Sequence, residues 1–537
     1  MGEATGADHS SLADLLFADP VDPVDHAGQA DGTAPVVHAG GVDHSLAAVR
    51  ARAERVAEAL TGLGVTAGAP VGVMLPDDVD LVASLFGVWR AGGVYVPLNP
   101  RTTAIELAHV LDVVDPAAIV TTSGHAGHAG HAGHARHAER FGGRPIVVAG
   151  DVPTTRPGTP GTRSFGPDVA LVQFTSGTTG RPKPVLLDHA GVRTLLDNVV
   201  ATLRTGTASG KPPMPNLVPV SLSLWAGIYQ VLFARRVGAA VVVMDGFDPV
   251  ELAALVARFG IRSTVLPPAA MAMLNDDDRV TSLAPLRYVR SITAPLSPLQ
   301  ARRFRDRFGI SVLNCYGQTE IGGEIIGWSG ADSKAHGDDK LGSVGRPHAG
   351  VEVRSGPVDG ELQVRTPALA AGYADGGDLA DRLTPDGWFR TGDIGHIDDE
   401  GFVWIDGRLG DMINRGGLKV FPGEVEEVLR LSPDVADVAV VGVPDARLGE
   451  VPWAFVVATG RAPEVEQLET LCRQHLVPYK VPVRFDVVDA LPRNEIGKVL
   501  VAELATRAAP GDPGAGGDGT TARSPSPVPG TPTEPRR

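Results

Sequence analysis

Cysteine is nearly absent from this chain of 537 residues, which contains only Cys315 and Cys472. Two cysteines provide no disulfide framework, and such scarcity is typical of a reducing compartment. The N-terminus lacks a charged region followed by an apolar core, so we expect no signal peptide. No apolar run approaches the roughly 18 residues that span a bilayer. The sequence therefore predicts a cytoplasmic protein without a membrane partner.

Positive charge is also in short supply. The chain has 48 Lys and Arg against 63 Asp and Glu, which gives a formal net charge of -15. Nucleic-acid binding needs clustered basic side chains to neutralise phosphates, so this class of partner is disfavoured. The length exceeds what one core of ordinary size accommodates, and at least two domains are expected. We expect a monomer or a homodimer.

What the sequence does contain is a regular alternation of strand and helix patterns. Apolar residues from Leu46 to Leu60 recur at helical spacing, and the segments "PVGVML", "VYVPL", "AAIVTT" and "AVVVMD" are typical of buried strands. This alternation predicts an α/β fold with layered, largely parallel sheets.

Changes in composition suggest four segments. Residues 1–40 show little periodicity and are expected to be flexible, whereas 41–407 form a large N-terminal domain of mixed α/β subdomains. Residues 408–507 follow a polar, Gly-rich stretch and are expected to form a small α+β domain after a hinge. Residues 508–537 are rich in Pro, Gly, Ser and Thr, which predicts disorder.

A histidine repeat interrupts the first domain. Its histidines, spaced by three, are His125, His128, His131, His134 and His137. The interleaved glycines disfavour a helix by about 1 kcal/mol each, and no carboxylate or Cys is placed to complete a metal site. We interpret the repeat as a flexible low-complexity insertion, and whether it binds a metal stays open.

The stretch "FTSGTTGRPKP" (174–184) combines small hydroxyl side chains, two glycines and a lysine between a buried strand and a helical pattern. Glycines permit close backbone approach, successive N–H groups can form an anion-binding concavity, and the lysine adds a point charge. Triphosphate is the ligand that best matches this set of hydroxyl, backbone N–H and ammonium donors, although the spacing is not that of a Walker A loop. The candidate contacts are Thr175, Ser176, Gly177, Thr178, Thr179, Gly180 and Lys183.

Five motifs in order resemble those of the adenylate-forming superfamily, which includes acyl-CoA synthetases, adenylation domains and luciferases. They are "FTSGTTGRPKP", "NCYGQTE" (314–320), "FRTGDIG" (389–395), "GRLGDMINRGGLKVFPGEVE" (407–426) and "PRNEIGK" (492–498). The resemblance covers residues 40–507. It implies a large nucleotide-binding domain followed by a small mobile domain.

The resemblance implies a role for each residue of the second motif. Tyr316 offers a flat ring for adenine stacking, and Asn314 faces the adenine amino edge. Thr319 contacts phosphate or carboxylate, Gly317 lies against the nucleotide, and the hard carboxylate of Glu320 suits Mg²⁺.

The other motifs supply the sugar contacts and the catalytic cation. Asp393 is implied to accept bonds from the ribose hydroxyls, with Arg408 beside the same sugar. Lys498 is implied to bridge the attacking carboxylate and the α-phosphate, which stabilises developing charge. Thr178 and Glu320 are the other catalytic candidates, and both are implied to bind Mg²⁺.

Two further positions concern the small domain. The hinge position, commonly Asp or Lys in the family, is Gly410 here, and glycine absorbs large changes in φ and ψ. Gly416 and Gly417 are expected to line a pantetheine tunnel, which favours coenzyme A as the acceptor, although a Gly pair is also typical of a β-turn.

Several residues depart from the family pattern. Pro184 replaces a glycine after the lysine, which removes an N–H and stiffens the exit of the loop. Leu224 stands where many acyl-CoA synthetases have His, and the substituted acyl pocket is expected to include Leu224, Trp225, Gly227, Ile292 and Thr293. The added bulk favours a small or flat acid over a long chain. The absence of a carboxylate in 219–229 disfavours an α-amino acid.

The sequence thus predicts an AMP-forming acid–thiol ligase. It would use ATP and Mg²⁺ to activate a small or aromatic acid, release pyrophosphate, and transfer the acyl group to coenzyme A. The alternative is an adenylate-forming ligase with another acceptor, namely a carrier-protein thiol or an amine, including activation of an unusual acid such as nitrite. The sequence does not identify the acid.

Overall fold

The computed structural model describes residues 11–18, 34–122, 140–175, 182–203, 213–357, 360–493 and 499–508. The histidine repeat, residues 176–181, Lys498 and residues 509–537 lie outside them.

Fifteen strands lie within the described part of residues 35–327. They are β1 (Pro35–Ala39), β2 (Val42–Ser45), β3 (Pro70–Met74), β4 (Val94–Pro97), β5 (Ala118–Thr121), β6 (Ile146–Val148), β7 (Thr154–Arg156), β8 (Val169–Thr175), β9 (Lys183–Asp188), β10 (Asn216–Val218), β11 (Val241–Val243), β12 (Ser263–Leu266), β13 (Tyr288–Ser291), β14 (Ser311–Gln318) and β15 (Gly323–Gly327). The remaining strands are β16 (Arg346–Pro347), β17 (Glu352–Ser355), β18 (Glu361–Arg365), β19 (Gly372–Tyr373), β20 (Phe389–Ile397), β21 (Val403–Arg408), β22 (Ile413–Arg415), β23 (Leu418–Val420), β24 (Val435–Asp445), β25 (Gly449–Ala458) and β26 (Arg484–Val488).

The α-helices alternate with these strands. They are α1 (Asp14–Phe17), α2 (Leu46–Gly62), α3 (Val79–Arg90), α4 (Ala104–Val114), α5 (His189–Leu203), α6 (Trp225–Arg236), α7 (Pro249–Phe259), α8 (Pro268–Asp276), α9 (Pro298–Phe308), α10 (Gly330–His336), α11 (Pro422–Leu429), α12 (Val465–His475) and α13 (Val501–Ala508). Among the described residues, no helix is both long and apolar enough to cross a membrane.

An eight-stranded sheet organises the first part of the chain, in the order β19-β9-β8-β4-β3-β5-β6-β7. The pairs from β8 through β6 are parallel, and both ends are antiparallel. Every residue of β3, β4 and β5 is buried. Parallel strands covered on both faces need such continuous apolar runs.

Three further sheets complete the large domain. They have the orders β12-β13-β14-β15-β16, β10-β11-β1-β2 and β17-β18-β20-β21. In the first of these, β12, β13 and β14 are parallel and β15 and β16 antiparallel. The last is antiparallel throughout. The layered α/β architecture predicted from the sequence is confirmed.

The N-terminal segment corrects one expectation. Residues 11–18 and 34–40 were predicted to be flexible, yet Leu12 and Leu16 are fully buried and β1 pairs with both β2 and β11. These apolar runs are too short to show a helical or strand period, but the large core buries them all the same.

The C-terminal part has a core of its own. Strands β23, β22, β25 and β24 form a sheet in that order, and β26 pairs with β25. Apolar side chains from β22, β24 and β25 pack with α11 and α12 in one cluster, and the opposite face of the sheet packs against α13.

Candidate active site

The predicted phosphate loop joins two paired strands. Its flanks are β8, which ends at Thr175, and β9, which begins at Lys183 and pairs with β8 in antiparallel fashion. The sequence-based expectation of a strand followed directly by a helix was therefore wrong, because β9 comes before α5. Of the candidate contacts, Ser176, Gly177, Thr178, Thr179 and Gly180 lie outside the described residues.

Both flanks of the loop are anchored to neighbouring backbone. The Thr175 hydroxyl donates to the Lys183 carbonyl at 3.4 Å. Pro184, which has no N–H to give, lies opposite Phe174, and its carbonyl accepts from the Ala374 N–H at 2.8 Å. The strand therefore keeps its carbonyl hydrogen bond at the proline, although the N–H is lost.

The carboxylate of Asp393 is the centre of a buried hydrogen-bond network where β14 meets β20 and β21. Asp393 is 3% exposed. Its Oδ2 accepts from the Tyr316 hydroxyl at 2.6 Å and from Gln318 Nε2 at 2.7 Å, and its Oδ1 accepts from Arg408 Nε at 2.9 Å. Three of the sites predicted for the nucleotide therefore meet here.

The charges in this network reinforce one another. Burial, and then the neighbouring Asp393 charge, raises the pKa of Tyr316 well above its ordinary value, so the phenol stays protonated as a donor. Burial alone would lower the pKa of Arg408, but Asp393 raises it. A carboxylate accepts about four hydrogen bonds, and this one already accepts three.

Glu320 lies in a second polar group beside the first. Its carboxylate Oε1 accepts from the Tyr373 hydroxyl at 3.3 Å and faces Arg382 Nη1 at 3.4 Å. The Arg382 guanidinium also donates to the carbonyl of Thr391 at 2.8 Å. The ammonium of Lys183 lies 5.8 Å from the centre of the Tyr373 ring. Tyr373 thus connects the loop lysine with the predicted magnesium ligand.

The other residues of the second motif hold the strand in place. Asn314 pairs with Ser291 across the sheet, and Thr319 begins a 3₁₀ turn that ends at Ile321. A Cβ at Gly317 would lie 1.8 Å from the carbonyl oxygen of Gly323. Only glycine permits this approach of β14 and β15.

The residues predicted to form the acyl pocket lie at the start of α6 and directly after β13. Leu224 precedes α6 and Trp225 begins it, with the indole N–H donating to the Gly322 carbonyl at 2.8 Å. A Cβ at Gly227 would lie 2.3 Å from the Ser221 carbonyl oxygen, so this turn of the helix packs directly on backbone.

Of the two predicted pocket residues after β13, Ile292 packs against the large core and Thr293 is exposed. Thr293 has a φ of 70°, in the left-handed region. Glycine adopts this conformation freely, whereas a β-branched side chain is strained in it.

The hinge candidate and the glycine pair have different geometries. Gly410 lies in a 3₁₀ turn (Leu409–Asp411), and a Cβ there would meet no atom within 4 Å. Gly416 and Gly417, with φ of 61° and 89°, form the two-residue turn between β22 and β23. A tight hairpin with two positive φ values favours such a pair, so Gly416 and Gly417 do form the β-turn that was the alternative interpretation. Their role in a pantetheine tunnel stays a prediction.

Sequence reasoning missed three polar residues of the site. Gln318 belongs to the second motif, where its amide could have been noticed, but Tyr373 and Arg382 lie in segments without a recognisable signal. Contacts between distant segments bring both to the site: Tyr373 lies on β19, which pairs with β9, and Arg382 ends the 3₁₀ turn Leu379–Arg382 and donates to the Arg390 carbonyl of β20.

Comparisons with known proteins agree with this geometry. Residues 24–374 match the family of AMP-binding enzymes, and 424–498 match the C-terminal domain of AMP-binding enzymes. A long-chain-fatty-acid–CoA ligase, FadD13 of Mycobacterium tuberculosis, is 31% identical over 85% of this chain and 92% of its own length.

Two solved structures share the fold. ATP-bound MatB from Rhodopseudomonas palustris superposes with a TM-score of 0.78 at 28% identity, over 93% of this chain and 98% of that one. The amide bond synthetase McbA from Marinactinospora thermotolerans gives 0.77 at 28% identity, over 93% and 99%.

A layered α/β domain that brings Tyr316, Asp393 and Arg408 together, followed by a small α+β domain, defines an adenylate-forming enzyme. The chain belongs to the AMP-binding enzyme family. Its predicted class, an AMP-forming acid–thiol ligase, is confirmed at the level of the family.

Proposed function

We propose that this protein uses ATP to convert a small or aromatic acid into an acyl-adenylate, releases pyrophosphate, and transfers the acyl group to coenzyme A. The observation that carries the proposal is the Asp393 network. A buried carboxylate with one acceptor position left, beside an aromatic ring and an arginine, suits a ribose hydroxyl of ATP. A second ribose hydroxyl would have to displace Tyr316 or Gln318 from Oδ2.

Magnesium would be held at the second polar group. The Glu320 carboxylate offers hard oxygen, and Mg²⁺ is usually bound through one or two protein carboxylates together with substrate phosphates. The Glu320 contacts with Tyr373 and Arg382, at 3.3 and 3.4 Å, are long enough to be exchanged for a metal ion. Thr178 is the second proposed ligand.

The remaining roles rest on the motifs. Lys183 and residues 175–180 would hold the phosphates, and Lys498 would neutralise charge as the acid attacks the α-phosphorus. Gly410 would then act as the hinge, after which the thiol would enter past Gly416 and Gly417. Withdrawal of one cation of this kind typically costs about 10²- to 10³-fold in rate.

Pyrophosphate exchange tests the adenylation step directly. Labelled pyrophosphate enters ATP only if the acyl-adenylate forms reversibly, so the assay reads this half-reaction without any acceptor. Lys498→Ala should lower acid-dependent exchange by at least about 100-fold while ATP binding, measured by calorimetry, stays nearly unchanged. The matched control is Lys334→Ala, at an exposed position of α10. Full exchange in the Lys498 variant would remove this residue from the mechanism.

A non-CoA acceptor is the second candidate. The fold similarity to an amide bond synthetase favours it specifically, because that protein's name describes transfer to nitrogen. Incubation of the enzyme, ATP and acids or nitrite with coenzyme A, a phosphopantetheinylated carrier protein or amines separates the cases by product mass. An acyl-CoA product supports the main proposal, whereas an amide, a diazo product or an acylated carrier protein supports the alternative.

A further inference from the structure

A cluster of polar side chains lies on the side of β14 opposite the Asp393 network. Consecutive residues of a strand face opposite sides, and Tyr316 contacts Asp393 while Cys315 donates to the Ser291 carbonyl at 2.8 Å. Around Cys315 the cluster contains Arg290, Glu324, His348 and Tyr229. None of these residues has a role in the nucleotide chemistry above.

The charges within the cluster are matched. The carboxylate of Glu324 pairs with Arg290, and its Oε1 lies 3.1 Å from His348 Nε2. Burial alone would raise the pKa of Glu324, but the Arg290 charge lowers it to about 2, so the pair is ionised at neutral pH. A buried pair of this kind leaves no net charge for a second ion to bind.

The charged side chains of the cluster are not fully closed off from water. The accessible fractions of the Arg290, Glu324 and His348 side chains are 22%, 19% and 11%. These side chains are thus partly accessible at the edge of the cluster.

Two hydroxyls at this place have no partner among the described residues. The Tyr229 hydroxyl is buried without a hydrogen bond, and so is the hydroxyl of Ser291. A buried polar group without a partner costs about 1–3 kcal/mol. Such groups in a native structure point to a partner that the protein chain itself does not supply.

The location ties these hydroxyls to the predicted acyl pocket. Tyr229 is one helical turn after Trp225 on α6, and their rings pack edge to face with centroids 5.8 Å apart. Ser291 immediately precedes Ile292 and Thr293. The unpartnered hydroxyls thus lie next to both groups of residues that are predicted to form the pocket.

We propose that Tyr229, with the Arg290–Glu324–His348 group behind it, binds a neutral hydroxyl or amino substituent on the acid substrate, at the end remote from the activated carboxyl group. This inference rests on the proposed function and names the substrate class. An apolar chain would leave the Tyr229 hydroxyl unpaired. A second carboxylate would add an unmatched charge to a pair that is already neutral.

The test compares acids that differ only at the remote position. Benzoate, hydroxybenzoates, aminobenzoates, a benzene dicarboxylate and a medium-chain fatty acid are each assayed for kcat/KM in pyrophosphate exchange. The wild type should prefer a hydroxy- or aminobenzoate over benzoate by at least about tenfold, as expected for one good hydrogen bond worth about 1.4 kcal/mol.

Substitution of the tyrosine tests which residue carries that preference. Tyr229→Phe keeps the ring and its contact with Trp225, and it should reduce the substituted-to-unsubstituted ratio by about tenfold. Tyr288→Phe is the control, since Tyr288 is on β13 with Arg290 but packs in a separate apolar cluster with Trp328 and Phe402. It should keep the wild-type ratio.

Four results would overturn the inference, three of them specific to one variant or acid and the fourth an absence of any preference. The three are an unchanged ratio in Tyr229→Phe, a wild-type preference for benzoate or the fatty acid, and a preference for the dicarboxylate. If exchange occurs with equal kcat/KM for substituted and unsubstituted acids, only this inference fails. If no acid or nitrite supports exchange, the proposed function fails with it.

Discussion

Replacing Thr293 by glycine should make the protein more stable and also change its acid preference. A left-handed conformation costs an L-residue roughly 1–2 kcal/mol, and Thr293 adopts a φ of 70°. Glycine removes this cost but loses roughly 0.5–1 kcal/mol through the greater freedom of the unfolded chain. From the midpoints of the two ranges, the expected net gain in the free energy of unfolding is about 0.75 kcal/mol.

Thermal unfolding followed by circular dichroism measures this gain. One kcal/mol shifts Tm by roughly 2–4 °C in domains of about 150–250 residues, so an increase of about 1–2 °C is expected for this larger domain. Thr293→Ala is the matched control, because it removes the branch but keeps the Cβ that is strained at positive φ. It should gain less than the glycine variant.

The same variant should affect substrate choice. The Thr293 side chain is exposed beside Ile292, so its removal widens the predicted pocket, and kcat/KM for bulkier acids should rise relative to that for small ones. A glycine variant that melts below the alanine variant would refute the strain argument. An unchanged acid profile would move the pocket away from Thr293.

Three other predictions concern separate features. Burial raises the pKa of Asp77 from 3.8 to about 6. The folded state therefore favours the protonated carboxyl, and the contribution of this group to the free energy of unfolding is full below pH 3.8 and is lost as the pH rises through 6. Asp77→Asn should therefore stabilise the protein by about 1–3 kcal/mol at pH 7 and not at pH 3.5, and equal melting shifts at both would contradict this. Arg382→Ala removes the contact with Glu320 and should raise KM for ATP and lower Tm, with Arg382→Lys intermediate; wild-type kinetics would argue against a role for Arg382 at the site. Gly410→Pro should block one half-reaction while Gly410→Ala, which has room for its Cβ, keeps both; equal turnover of the two variants would show that the hinge need not rotate.

The fold was predictable to the extent that its signals are local. The buried runs of β3, β4 and β5 and the periodic helix α2 are visible in the sequence because parallel strands and amphipathic helices impose their own periods. Strand β9 was missed because its opening "KPVL" contains a proline, which argues against a strand. Leu12 and Leu16 were missed because burial of a single turn leaves no period.

The site was predictable only in part, for a different reason. Motif order identified Tyr316, Asp393 and Arg408, and these side chains do meet. Arg382 could not be found in this way, because it contacts Glu320 across 62 positions of the chain. Neither the spacing of motifs nor the local composition indicates a contact over that distance. The orphan hydroxyl of Tyr229 is likewise a property of its surroundings and not of its neighbours in the chain.

The ion pair between Asp393 and Arg408 has a mechanical consequence. Arg408 is the last residue of β21, and the 3₁₀ turn that contains Gly410 begins at the next residue. The segment that leads to the small domain therefore starts directly after Arg408, whose side chain is paired with the carboxylate proposed to bind the sugar. A sugar hydroxyl that weakens the Asp393–Arg408 ion pair would change the backbone two residues before Gly410, the proposed hinge. Nucleotide binding and the proposed rotation of the small domain would then be coupled.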